Sequence, residues 1–269
     1  MYHFLITLFL LSGLISIADQ KLIIQDKVGP NTCAPCSFVH SLSFAKNEKA
    51  LAGLDGETNS QKAASFRDKY CKKPSPLYHS EKPIYQEKTG IADKDFLMVI
   101  NQLFKESKDD EVKGDFLVKQ ESESPEQFIF RVHKTIQDSI SKGFHPLISA
   151  RALTAEYSEK SKKFLWNSKG GHWIAIHELS PLLKDSHGFS FKYSDSISAK
   201  LLEGYININL HRKAVVPMTF TVDEKGKEQW QWIPNDSTLE LHSPGMPLGT
   251  RRAKWNERTF IALRFLIYR

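Results

Sequence analysis

Cysteine is scarce in this 269-residue chain: there are three, Cys33, Cys36 and Cys71. Three thiols cannot build a disulfide-stapled scaffold, so the fold has to rest on an apolar core. A composition of 41% apolar and 25% charged residues supports one. Long apolar runs are also scarce. The segment 4–17 falls short of the ~20 residues a membrane helix needs, and nothing after it reads as a span. Internal repeats and low-complexity linkers are absent, which favours a single domain. A concentrated charge of one sign is missing too. The net charge is +6, yet Lys and Arg are scattered and form no stripe, so no nucleic-acid partner is expected.

The short apolar run has the size of a signal-peptide hydrophobic region, and Ser16-Ile17-Ala18 supplies the small residues a signal peptidase reads. Residues 1–18 therefore read as a signal peptide, with the mature protein beginning near Asp19. A retained amino-terminal anchor is the alternative. Export to the periplasm or medium follows, with no integral span once the leader is removed. In an oxidising compartment an odd cysteine count leaves one thiol unpaired or pairs it with another chain.

After the leader, Lys21 to Gln25 is strand-like, and Gly29-Pro30-Asn31 makes a turn. From Pro35 to about Leu51 a helical pattern sets Phe38, Val39, Leu42 and Ala45 on one face, with Gly53 ending it. Both Cys33 and Cys36 thus fall at a helix amino terminus. Further helices are predicted from Gln61 to Lys72, from a cap at Asp93 through Phe104, and from the capping box Ser124-Pro125-Glu126-Gln127 to Gly143. Strands are predicted at Phe144 to Ala150, His172 to Leu179, Phe189 to Asp195, Tyr205 to Leu210, Met218 to Val222, Glu228 to Ile233 and Thr259 to Tyr268, with a hairpin turn at Asp223 to Gly226. Helices first and strands second predict an α+β domain over 19–269. Its amino-terminal helical half faces a half of mainly antiparallel strands, and residues from about 204 to 269 extend the sheet.

Nucleophilic catalysis by cysteine needs an activated thiol, a base within reach and a group to orient that base. A helix amino terminus favours the thiolate. The base candidate is His172, which follows Gly170-Gly171 and shares a strand face with Ile174 and Ile176. Asp195 ends the next strand on the face of Phe189, Phe191 and Tyr193. A hairpin pairing Leu179 with Gly188 would set His172 opposite Asp195. No metal or organic cofactor is required.

These segments resemble the papain-like cysteine peptidase superfamily, most closely its bacterial branch related to bacteriocin-processing peptidases. The resemblance rests on Cys33-Ala34-Pro35-Cys36-Ser37-Phe38, the Gly-Gly-His-Trp strand and the strand ending in Asp195. It implies a papain-like fold and hydrolysis of amide bonds, with a peptide or a peptidoglycan-type cross-link as substrate. It makes Cys33 the nucleophile by the Ala-Pro-x-Ser-Phe context. By analogy with papain itself, Cys36 would be the nucleophile and Cys33 would pair with Cys71; if Cys33 attacks, Cys71 would pair with Cys36. The family's oxyanion-stabilising Gln has no counterpart at the usual spacing, leaving Gln25 or Asn31 for that place.

Two other classes fit parts of the chain. Cys33-Ala34-Pro35-Cys36 is also the dithiol spacing of thioredoxin-like oxidoreductases, and Val215 to Phe220 with the turn after it resembles their proline-bearing strand and hairpin. A non-catalytic binding protein could use Trp230, Trp232 and Trp255, although Trp230 and Trp232 at strand spacing are expected on one buried face.

Overall fold

The structure, a computed structural model, describes residues 22–158, 163–183, 186–208, 215–246, 248 and 259–269. The expected signal peptide and Trp255 lie outside the described residues. Among those described, no helix is long and apolar enough to cross a membrane.

Five α-helices are present among the described residues: α1 (Cys33–Phe44), α2 (Glu48–Ala52), α3 (Asn59–Phe66), α4 (Asp93–Ser107) and α5 (Pro125–Ser141). The single helix expected from Pro35 to Leu51 is broken into α1 and α2. Lys46 takes a positive φ of 54° at the break, and the Asn47 side chain accepts the Ala50 amide to start α2. α3 begins with a capping box between Thr58 and Gln61 and continues as a π-turn over Arg67–Cys71. α5 has the expected capping box between Ser124 and Gln127. The strand expected at Lys21 to Gln25 does not form: residues 22–24 join no sheet, and Gln25–Lys27 is a 3-10 turn.

The strands are β1 (Tyr85–Gln86), β2 (Gly90–Ile91), β3 (Lys113–Phe116), β4 (Leu147–Ser158), β5 (Lys163–Leu179), β6 (Gly188–Asp195), β7 (Lys200–Ile208), β8 (Val215–Val222), β9 (Glu228–Pro234), β10 (Leu239–His242) and β11 (Thr259–Tyr268). β4, β5, β6, β7, β10 and β11 pair in that order, all antiparallel, and β11 pairs back onto β4. Six strands thus close into a barrel. β3 is added outside on β11, while β8 and β9 branch from β5.

This corrects the expected fold class. The chain is not a papain-like helical half facing an open sheet, but a mostly β molecule with a closed barrel and a few helices. Closure comes from β11, which inserts between β4 and β10 and joins the two ends of the sheet. Alternation along a strand reveals its faces but not its neighbours, so sequence periodicity could not show this. Residues 204–269 accordingly supply the end of β7 with β10 and β11, which are staves of the barrel, and also β8 and β9, which extend the sheet outside it as expected.

Two apolar regions hold the molecule. Ile148, Ile174, Ile176, Phe191, Tyr193, Ile206 and Leu263 cluster with Phe128, Val132 and Ile136 of α5. That helix touches β5, β7 and β11, and so lies across the barrel's end. The alternate face of β5, with Trp173 and Ala175, packs against Phe38, Phe66, Phe96 and Phe104 of the helices. Each strand face is therefore apolar, which is why β5 reads as a nearly continuous apolar run from Trp173 to Ile176.

Arg264 ties the barrel to both additions. A bulge in β11 leaves it unpaired with β4 and turns its side chain away from the barrel. Its Nε donates to the Met218 carbonyl of β8, and its guanidinium lies 5.0 Å from the Trp230 ring centroid and 5.6 Å from that of Phe220. Nη2 is 3.1 Å from Asp93 Oδ2 at the start of α4 but out of line for a hydrogen bond, so that attraction is coulombic. Both side chains are buried. Arg264→Met strands the Asp93 carboxylate, and a loss of about 3–5 kcal/mol is expected in urea unfolding. Pairing it with Asp93→Leu should recover most of that loss. Trp230 is thus packed as a partner of this cation, whereas Trp232 is 44% exposed, contrary to the shared buried face expected for the two.

Candidate active site

Cys33 opens α1 at the end of a turn strapped from several sides. Arg67 Nη1 donates to the Val28 carbonyl and the Tyr85 hydroxyl to the Pro30 carbonyl. Gly29 has a φ of 141°, a conformation that side chains with a Cβ rarely adopt, so the turn needs glycine here. The Thr32 hydroxyl does not cap α1. It turns back to the carbonyls of Gly29 (2.8 Å) and Gln25 (3.1 Å), leaving the first-turn amides of Cys33 and Ala34 uncapped by that side chain. Farther along α1, the Ser37 and Ser41 hydroxyls donate to the carbonyls of Trp173 and His145, each at 2.6 Å. The first fixes the helix against β5 and the second against the segment that leads into β4.

His172 and Asp195 are brought together, but not in the expected register. Leu179 pairs with Phe191, a bulge lies between Ile176 and Glu178, and Ala175 pairs with Ser194. Extending that register sets Asp195 opposite Ile174, two residues from His172. The two still share a face, and a diagonal neighbour of this kind lies within reach of long side chains. His172 Nε2 meets Asp195 Oδ1 at 2.6 Å. The Ser198 amide donates to Asp195 Oδ2 at 2.7 Å, and the Ser198 hydroxyl bonds to the same oxygen. Ser198 was not singled out from sequence, although an Asp whose side chain accepts the amide three residues on, as at a helix N-cap, is a local pattern that could have found it.

The Cys33 side chain lies close enough to His172 to help raise the pKa of its imidazole. With Nε2 engaged by Asp195, Nδ1 is the ring nitrogen left for the thiol. Cys33, His172 and Asp195 therefore form a continuous chain of contacts. His172 is 2% exposed and Asp195 fully buried, whereas Cys33 is half-buried and open to solvent. Burial works to lower the pKa of His172, but the bond to Asp195 and the nearness of Cys33 outweigh it and hold the imidazole up to about 9. Burial likewise works against ionised Asp195, and the bonds from His172 and Ser198 overcome it, keeping its carboxyl below the usual range. The pair is thus an imidazolium and a carboxylate at neutral pH.

His40, one buried turn below Ser37, was also missed. Its Nε2 accepts the Ile23 amide at 2.8 Å, and burial holds its pKa down to about 3 despite Asp195 nearby. It therefore stays neutral beside the charged pair and anchors the segment that leads to the turn before Cys33.

The other sequence candidates separate clearly. Cys36 is fully buried, its sulfur 3.9 Å from Thr32 Oγ1, and burial pushes its thiol far up. Cys71 is equally buried and lies 3.7 Å from the Phe66 carbonyl. All three cysteines are free thiols, so the expected disulfide through Cys71 to Cys36 or Cys33 is absent; each buried sulfur is turned toward its own preceding helical turn. Asn31 is committed elsewhere, with Nδ2 donating to the Glu87 carbonyl at 2.6 Å. Gln25 lies beside the site. Its amide nitrogen in the backbone donates to the Ser196 carbonyl at 2.8 Å, and the Ser196 hydroxyl approaches its Oε1 at 3.4 Å, which leaves Nε2 as the donor end.

Fold and site together define a class by geometry: a six-stranded antiparallel barrel, flanked by helices, that carries a solvent-open thiol on a buried histidine and aspartate. No family model, no curated protein and no solved structure matches this chain.

Proposed function

We propose that this chain is an exported cysteine hydrolase that cleaves amide bonds in a peptide or a peptidoglycan-type cross-link. The observation that carries the proposal is the contact chain from half-buried Cys33 through His172 to buried Asp195. In this reading Cys33 attacks the scissile carbonyl as a thiolate, between the imidazolium of His172 and the amino end of α1. His172 then delivers its proton from Nδ1 to the departing amine and takes one from the water that releases the acyl group. Asp195, fixed by Ser198, holds the proton of the imidazole on Nε2 and so presents Nδ1 to the sulfur. The uncapped amide of Cys33 and Nε2 of Gln25 are the donors placed to receive the oxyanion.

The likeness to papain-like peptidases supports this chemistry through its three short segments, and not through the architecture. A thioredoxin-like exchange function is disfavoured by the closed antiparallel barrel and by a histidine and aspartate such an enzyme would not use. The test is turnover of a quenched peptide library and of cross-linked muropeptides by the full mature chain. Cleavage of either set supports the proposal and names its substrate class. Reduction of insulin disulfides, with neither set cleaved, would contradict it.

A further inference from the structure

The hydrolase reading leaves Cys36 unused, although it is a fully buried thiol one turn above Cys33. Residues three apart in an α-helix have Cα atoms about 5 Å apart, inside the range a disulfide spans. Side chains in a helix lean back over the preceding turn. Cys36 does so here: its sulfur reaches back to Thr32 Oγ1, over the turn that Cys33 occupies. Pro35 has no amide proton to lose a bond if that first turn adjusts. Cys33 is solvent-open, and Cys36 is shielded from any external reagent.

We propose that Cys36 is the resolving thiol of a redox switch that turns the site off under hydroperoxides and protects Cys33 from irreversible oxidation. The inference rests on Cys33 being the reactive thiol of the proposed hydrolase. A hydroperoxide gives one oxygen to the Cys33 sulfur; its O–O bond breaks, forming Cys33 sulfenic acid and releasing water or an alcohol. The Cys36 sulfur then attacks the Cys33 sulfur. The S–S bond forms, the S–O bond breaks, and hydroxide leaves with the Cys36 proton as water. In sum, two thiols are oxidised to a disulfide and the peroxide is reduced. A small dithiol reverses the change by exchange. In the oxidised form Cys33 has no free sulfur to attack with, so the site is closed without any rearrangement of His172 or Asp195.

The experiment treats the reduced full-length mature protein with a severalfold molar excess of hydrogen peroxide and maps it by non-reducing tryptic mass spectrometry. Cys33 and Cys36 lie together on the peptide 28–46, and Cys71 falls on another. The expected result is a 28–46 peptide lighter by two hydrogens, loss of iodoacetamide labelling at Cys33, and full recovery of both with dithiothreitol. In Cys36→Ser, the same treatment should give sulfinic acid at Cys33 and no recovery. Sulfinic acid at Cys33 in the unaltered protein, or a link from Cys33 to Cys71, would overturn the inference. The mapping of the unaltered chain decides it even if the variant does not fold. Fast iodoacetamide labelling of Cys33 in the reduced protein separates the two ideas: without it the hydrolase reading fails, and with it but no intramolecular link only the switch fails.

Discussion

Cys33→Ala is expected to lower kcat/KM for amide hydrolysis by at least about 10⁴-fold, while Cys36→Ala leaves it within about tenfold. The asymmetry follows from position. Cys33 is half-buried, opens α1 and lies beside His172, so removing its sulfur removes the covalent route altogether. Cys36 is sealed among the apolar side chains that α1 shares with α3 and α4. Truncating it leaves a small cavity beneath the nucleophile and is expected to cost about 1–2 kcal/mol of stability. The measurements are initial rates on the cleaved substrate set and urea unfolding of both variants. Equal loss of rate in the two, at equal stability, would return the nucleophile to the open question the sequence posed.

Asp195→Asn is expected to lower the rate by about 10⁴-fold with little change in fold, for a reason written in the hydrogen bonds. Asp195 Oδ2 faces two donors, the amide and hydroxyl of Ser198. An asparagine there must turn its carbonyl toward Ser198, which sets its NH2 against His172 Nε2. That nitrogen then has to accept, and the imidazole proton moves to Nδ1, facing Cys33. A histidine in this tautomer cannot take the thiol proton. The same substitution removes the carboxylate that helps hold His172 up to about 9, so the alkaline limb of kcat/KM should move to lower pH. The sign in stability is fixed as well. A folded-state value raised from 6.5 to about 9 contributes stability that is complete below about 6.5 and lost as pH rises through about 9. The native chain should therefore weaken between those values, and Asp195→Asn should show a flatter profile over the same window. A native-like alkaline limb in the variant would contradict the role given to Asp195.

The sequence carried the site further than it carried the fold. A thiol at a helix start, a histidine after two glycines and an aspartate ending the next strand are local patterns, and local patterns decide where Cys33, His172 and Asp195 sit on their own elements. Their meeting survived an error in register because the pairing, three residues off the expected one at Leu179, is two off after the bulge beyond Ile176, and an even offset leaves His172 and Asp195 on one face. The barrel was not legible for the opposite reason. Its closure depends on β11 finding β4 across more than a hundred residues of chain, and neither strand's pattern names its partner. β10, four residues long, and β3, with Lys113, Gly114 and Asp115 in its four positions, carry too little strand pattern to be read alone. Ser198 and His40 act through local hydrogen bonds that no periodicity marks.

The most direct test of the central claim is site-resolved alkylation of the reduced mature protein by iodoacetamide, with and without His172→Ala. The account predicts fast labelling at Cys33 alone, slowed at least about tenfold in the variant. Cys36 and Cys71 should stay unlabelled in both, which also reports that the variant remains folded. Labelling at Cys36 or Cys71 in the native protein, or a Cys33 rate indifferent to His172, would contradict a thiol activated by this histidine.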